Sequence, residues 1–355
     1  MRVGLTLYGS LDEQSGGFRY DRKLVEGLRD AGDTVECIQL PWRDYHRGLL
    51  DNGSRKLRRQ LDVDVDVMLQ DELAHPSLVR TNRALSYPIV SIVHHLRASE
   101  SRRLAPLYRA VERRYLGTVR GVVCNSTTTR GVVTDLGVNP NNTVVAPPAG
   151  DRFAPEIDRS TVEQRATTEP LRVVFVGNVT PRKGLDTLVD GVAKADADIE
   201  LTIVGRPADA AHVTAVRNRV REHGLDDRVQ FTGRLPDAEL ASTLQSSHVL
   251  AVPSRYEGFG IVYLEGMSFG LPALATRAGG AADIITDGET GKLIDPDDSA
   301  AVARGLERFA TDRDRLAEMG WAARQSYEAH PDWEATVARV RGLLSDIVQP
   351  AEVPA

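Results

Sequence analysis

The chain has 355 residues, more than one hydrophobic core usually holds, so two domains are expected. A hydrophobic share of 41% and a charged share of 26% are those of a globular protein, and a formal net charge of −6 disfavours bulk nucleic-acid binding. Two cysteines, Cys37 and Cys124, form neither a metal spacing nor a disulfide framework, which points to a reducing, cytoplasmic compartment.

The chain opens on Val3–Tyr8, a strand pattern without the charged and long apolar regions of a signal peptide. No run approaches the roughly 18 apolar residues of a membrane-spanning helix. A loop with Gly16 and Gly17 follows, then a helix over Tyr20–Ala31 that stops at Gly32. Gly16-Gly17 between a strand and a helix is the arrangement that receives an anion, though a plain turn reads the same way. Further strands are predicted at Thr34–Gln39, Asp64–Leu69, Ile89–Val93 and Gly121–Cys124. Asp62-Val-Asp-Val-Asp66 leads into one of them and reads as structural, not as a metal motif. His94 and His95 close the strand Ile89–Val93. From Arg97 to Arg120 seven arginines stand against Glu100 and Glu112, and Leu104, Leu107, Tyr108, Val111, Tyr115 and Leu116 recur at helical spacing. That segment predicts a basic amphipathic helix, either a solvated face over the domain core or an attachment to an anionic membrane. Arg43, Arg47 and Arg55-Lys-Leu-Arg-Arg59 are candidates to extend the same face.

Ala154–Pro170 is polar and proline-bounded and reads as an interdomain linker. The strand–helix alternation then resumes, with strands at 171–176, 199–204, 229–232, 249–252 and 273–276. Alternation of this kind implies doubly wound parallel sheets, whose ligands bind at the carboxyl ends of the strands. Two of those ends carry the strongest signals. Gly177-Asn178-Val-Thr-Pro-Arg182-Lys183-Gly184 follows the first strand of the second half and places cations before a helix start. Pro253-Ser-Arg-Tyr-Glu257-Gly258-Phe259-Gly260 follows the apolar run Val249–Val252 and precedes a helix that ends near Gly270 and Pro272. Gly258 and Gly260 permit close approach of the backbone to a ligand, and the helix N-terminus favours an anion. Glu257 and Glu265 flank that point, and a carboxylate accepts only, so their partners should be donors such as sugar or ribose hydroxyls.

This constellation resembles the Glu-x7-Glu motif of the large retaining glycosyltransferase family called family 4, or group 1. The resemblance continues through Leu271–Thr276, Gly279-Gly280, Asp287–Gly291 and Asp295-Pro-Asp297. It implies a GT-B fold of two Rossmann-like domains facing across a cleft. Residues 1–165, joined by a last helix over about 333–350, would bind the acceptor, and residues 166–332 the nucleotide-diphosphate sugar. In that family the Gly16-Gly17 loop would lie against the diphosphate, and His94 near the donor sugar, with His95 where an Asp is usual. Lys183 matches one of two diphosphate-clamping cations. The other position holds Asn178, and Arg182 is placed to supply the missing charge. Glu257 would orient sugar hydroxyls and Glu265 the ribose, while Gly258, Phe259 and Gly260 contact the donor. The loops 204–207 and 231–235 would line the base pocket.

The resemblance makes Lys183, Glu257 and His94 the candidate catalytic set, with no covalent intermediate, no metal requirement and no cofactor beyond the sugar nucleotide. The acceptor stays open among a glycan, a lipid-linked sugar and a small molecule. Two other classes are compatible with the same fold, a sugar-nucleotide epimerase and a non-catalytic binding protein. A Rossmann dehydrogenase is disfavoured because no Gly-x-Gly-x-x-Gly follows the first strand.

Overall fold

A computed structural model describes residues 1–13, 15–100 and 104–349, with Glu100 described by its backbone only. The chain divides into two compact units. One is Met1–Ala149 joined by the chain from Pro331, and the other is Gly150–His330. Each unit is built on a six-stranded parallel sheet.

The first sheet contains β1 (Arg2–Tyr8), β2 (Thr34–Leu40), β3 (Val67–Asp71), β4 (Ile89–Val93), β5 (Gly121–Cys124) and β6 (Thr143–Val145), in the spatial order β2-β1-β3-β4-β5-β6. The second contains β7 (Leu171–Val176), β8 (Ile199–Val204), β9 (Val229–Gly233), β10 (Val249–Val252), β11 (Ala273–Thr276) and β12 (Gly291–Ile294), in the order β12-β11-β10-β7-β8-β9. Central strands such as Ile89–Val93 and Val249–Val252 are buried along their whole length. That is why they read as continuous apolar runs, without the alternation of a one-sided sheet. The strand order reverses beside β1 in the first sheet and beside β7 in the second. These are the crevices where a doubly wound sheet presents its loops to ligands.

The final helix, Trp333–Val348, belongs to the first unit. Its Val337 lies where a side chain on Gly27 would sit, a Cβ there falling 2.5 Å from Val337 Cγ2, so the absence of a side chain at 27 lets two helices touch. Trp333 meets Tyr20 edge to face at 5.5 Å, and Arg341 Nε donates to Asp33 Oδ2 at 2.8 Å.

Several sequence expectations need revision. The expected linker at 154–170 contains a helix, Arg159–Ala166, capped by Asp158 and burying Val162 and Ala166 within the second unit. Two buried side chains are too few for a periodic signal. The helix expected over Arg97–Arg120 is two, Arg97–Glu100 and Ala105–Leu116, because Pro106 can stand only in a first turn. Arg102 and Arg103 lie outside the described residues. Within the second helix Tyr108, Val111, Tyr115 and Leu116 are buried, but Leu104 and Leu107 face out. The first long helix begins at Gly16, capped by Ser15, four residues before the expected start. The short strands β6 and β12 were not anticipated.

Leu344 is fully buried in the first unit's core with Val340 and Leu28. Leu344→Ala is expected to cost about 2–5 kcal/mol of unfolding free energy in urea titrations, as core truncations of this size do.

Candidate active site

In the second unit, the loops after β7 and β10 meet beside the strand-order reversal. Gly177 has φ +156° and Gly184 φ +65°. A Cβ on Gly184 would fall 2.0 Å from the Pro253 carbonyl oxygen, so only glycine lets the two loops close on each other. Arg255 N donates to Arg182 O at 2.7 Å and completes the junction.

Across it, Lys183 Nζ lies 2.6 Å from Glu257 Oε2. Ser254 Oγ donates to the same oxygen at 3.1 Å, and Arg182 Nη1 stands 3.5 Å away while donating to Tyr256 O at 2.9 Å. Burial alone would raise the Glu257 carboxyl. The charge of Lys183, then that of Arg182, and the hydrogen bonds from Lys183 and Ser254 outweigh it and hold the group at about 2. Arg255 is itself tied to Asp186 at 2.7 Å and Asp297 at 2.6 Å. Asn178 is exposed, and its side chain makes no hydrogen bond among the described residues. The second cation beside Glu257 is therefore Arg182.

The helix Ile261–Ser268 follows with Gly260 as N-cap at φ +95° and no side-chain cap. A Cβ on Gly260 would fall 2.5 Å from the Tyr263 ring, and Tyr263 in turn donates its hydroxyl to Val252 O at 2.8 Å. Glu257 pairs with Gly279 as an isolated parallel bridge. A Cβ on Gly279 would strike the Glu257 carbonyl oxygen at 1.9 Å, which accounts for the glycine pair that follows β11. Phe259 is buried against the His330 ring at 6.0 Å. Glu265 is buried on the helix, and both its oxygens lie 3.4 Å from Arg152 Nη1, whose Nη2 donates to Asp237 at 2.7 Å. Arg152 and Ser254 were not singled out from the sequence. Arg152 reaches its glutamate only through the fold, and Ser254, three residues before Glu257, is an ordinary loop residue by its sequence.

In the first unit, His94 ends β4 and is buried. The helix Gly16–Asp30 starts against it. A Cβ on Gly17 would fall 3.2 Å from the His94 ring, and Tyr20 meets that ring edge to face at 5.2 Å. His94 N donates to Glu72 Oε2 at 3.0 Å, and Nε2 lies 3.3 Å from Asp21 Oδ1. Asp21, Asp71 and His94 each offer one ligand atom within 4.8 Å of the others, the described group whose donor set would suit a metal ion. This acidic surround was missed. The legible sign of it is Asp71-Glu72 closing a strand that opens on Val67-Met-Leu69. Asp64 and Asp66, the acidic run before β3, instead pair with Arg2.

Residues 156–326 match the family described as glycosyl transferases group 1, and residues 11–149 match the glycosyl transferase 4-like domain. The chain belongs to the group 1 glycosyl transferases. Among curated relatives of this group 1 member, a D-inositol 3-phosphate glycosyltransferase of Corynebacterium diphtheriae is 33% identical over 230 residues, covering 61% of this chain and 54% of the relative. A GDP-mannose-dependent alpha-(1-6)-phosphatidylinositol monomannoside mannosyltransferase of Mycolicibacterium smegmatis is 31% identical over 205 residues, covering 55% and 53%. The chain thus spans about half the length of the curated relatives it matches. Sucrose-phosphate synthase from Thermosynechococcus elongatus superposes with a TM-score of 0.82 at 21% identity over 96% of this chain and 98% of that one. Anabaena HepE, solved with UDP and glucose, gives 0.76 at 18% identity over 98% and 100%. These likenesses establish the GT-B fold for the group 1 chain.

The Glu257 carboxyl is depressed from its ordinary 4.5 to about 2. A depressed carboxyl contributes stability that is complete above its unfolded value and is lost as pH falls through the folded one. The urea midpoint of wild type should therefore exceed that of Glu257→Gln by a constant margin above about pH 5, and the margin should shrink below about pH 4.5.

Proposed function

We propose that this chain transfers a sugar, with retention of anomeric configuration, from a nucleotide-diphosphate sugar to a hydroxyl acceptor. The observation that carries the reading is the Lys183–Glu257 pair, closed at 2.6 Å over the junction of two glycine-shaped loops and backed by Arg182. Cleavage of the anomeric C–O bond leaves negative charge on the departing diphosphate and positive charge on the sugar. Lys183 and Arg182, with the uncapped N-terminus of Ile261–Ser268, supply fixed positive potential for the former. Glu257, ionised through the working pH range, accepts from sugar hydroxyls. Glu265, already turned toward a guanidinium donor, accepts from the ribose. His94 contacts the sugar or the acceptor hydroxyl. The departing phosphate takes the acceptor proton, so no side-chain nucleophile and no metal are required. The GDP-mannose dependence named for one relative and the UDP in the HepE structure make both nucleotides probes of choice.

Calorimetry with UDP, GDP and their hexose conjugates tests this reading. One nucleotide should bind, Glu265→Gln should weaken the free diphosphate, and Glu257→Gln should spare it while weakening the sugar conjugate. Lys183→Ala should lower turnover by about two to three orders of magnitude, the scale of one lost preorganised charge contact. Wild-type turnover in Lys183→Ala would overturn the assignment.

A membrane-bound acceptor is the finer part of the proposal. No described helix is long and apolar enough to cross a membrane, so attachment would be peripheral. The helices Tyr45–Asp51 and Ala105–Leu116 meet through Tyr45 on Tyr108, at 4.7 Å between ring centroids. Leu50, Leu104, Leu107, Arg47, Arg109, Arg113 and Arg114 are all exposed on or next to these helices, an apolar and cationic set that would suit an anionic bilayer. Sedimentation should show binding to anionic but not neutral vesicles, lost at high salt and in the Leu104→Ser, Leu107→Ser, Arg113→Ser, Arg114→Ser variant. No binding to anionic vesicles at low salt would leave a soluble acceptor.

A further inference from the structure

Three carboxyl side chains, Asp21, Asp71 and Glu72, are buried around His94, and no Lys or Arg bonds to any of them among the described residues. Buried carboxylates without a counter-charge are costly, so this cluster must hold a proton or a cation. Which oxygens are satisfied decides between them. Asp71 Oδ1 accepts from Leu73 N at 2.8 Å, Glu72 Oε2 accepts from His94 N, and Asp21 Oδ1 faces His94 Nε2. The two buried oxygens left without a partner are Asp21 Oδ2 and Asp71 Oδ2, and the Asp71 carboxyl lies within hydrogen-bonding reach of both Asp21 and Glu72. One proton shared between Asp21 and Asp71 satisfies both orphans and removes one charge.

With that proton held on the far side of Asp21, the oxygen facing the imidazole can only accept. We propose that Asp21, backed by Asp71 through a shared proton, is a positioning residue that holds His94 as the Nε2-protonated tautomer and so presents Nδ1 as a hydrogen-bond acceptor to a substrate hydroxyl. Nδ1 has no hydrogen-bond partner among the described residues and is not among the buried orphan atoms. The ring is clamped by Tyr20 and by the backbone at Gly17, so its orientation is set before any ligand arrives. Burial raises Asp21, and burial together with the charge of Asp21 raises Asp71, so the pair favours keeping a proton between them. Burial lowers His94, against the charge of Asp71, so the imidazole carries a single proton whose position the carboxyl pair dictates. The proposal rests on the reading of His94 as a group that meets substrate.

The decisive measurement is the long-range 1H–15N spectrum of the imidazoles in the full chain, with His94→Gln assigning one resonance set among eight histidines. His94 should report a protonated Nε2 and an unprotonated Nδ1 at neutral pH. A protonated Nδ1, or an imidazolium, overturns the proposal. So does one equivalent of divalent metal in the purified protein that is lost in Asp71→Asn, since the trio would then be a metal site. Asp21→Leu removes the acceptor that holds the Nε2 proton and should release the ring to the other tautomer, whereas Asp21→Asn, its amide nitrogen donating to Asp71 and its oxygen facing Nε2, should keep the wild-type tautomer. Asp21→Leu should lower kcat by about two orders of magnitude or more while leaving the KM for the sugar nucleotide within about threefold, because a reversed tautomer disables a catalytic imidazole without moving it, and Asp21→Asn should restore most of the loss. Wild-type kcat in Asp21→Leu overturns the proposal. Should Asp21→Leu fail to fold, the wild-type spectrum decides alone. It needs no substrate, so an expected tautomer in a protein that turns over no sugar nucleotide would sink the transferase reading and leave the positioning intact.

Discussion

The contact between Lys183 and Glu257 ties together the loops at the strand-order reversal of the second unit. It joins the loop after β7 to the loop after β10, the two strands that flank the reversal of strand order. A bare carboxylate buried there would be destabilising, and so would a bare ammonium. Set 2.6 Å apart and joined by Ser254 and Arg182, they are mutually satisfied, and the carboxyl of Glu257 is held well below its ordinary range by the charges of Lys183 and Arg182. The glycines around them serve the same contact. Gly184 keeps its Cα against the Pro253 carbonyl, and Gly279 lets the segment after β11 pair with the Glu257 backbone. The polar centre thus sets the backbone geometry of three neighbouring loops.

The first unit meets a related demand with opposite chemistry. Its strand ends bring together three acids and a histidine, with Asn125 Nδ2 donating to the His94 carbonyl at 2.8 Å to pin the strand end. Where the second unit balances charge with cations, the first keeps its acids buried without them. A phosphate-binding site must be positive, whereas a site that handles neutral hydroxyls gains more from oriented donors and acceptors than from net charge.

Arg152 illustrates how the motif glutamates are held. Glu265 is buried on a helix whose other side chains are mostly apolar, and its carboxylate meets Arg152 from the first residues of the second unit and, through it, Asp237.

The amino-acid sequence by itself determined the alternation of strands and helices, the two-domain count, the Glu257–Glu265 motif, the cationic loop at Arg182-Lys183 and the histidine at the end of β4. Each is a local pattern, an apolar run closed by glycine or a motif within eight residues, and local patterns survive in one dimension. Only the tertiary structure decided that Lys183 pairs with Glu257, that Arg152 reaches Glu265 across 113 positions, and that Asp21, Asp71 and Glu72 surround His94. It also decided that the polar stretch before β7 folds as a helix of the second unit, and that a proline splits the basic helix in two. The side-chain contacts share one physical reason. Parallel strands are adjacent in space but separated in sequence by whole crossover connections, so the side chains that gather at their carboxyl ends come from segments with no spacing to betray them.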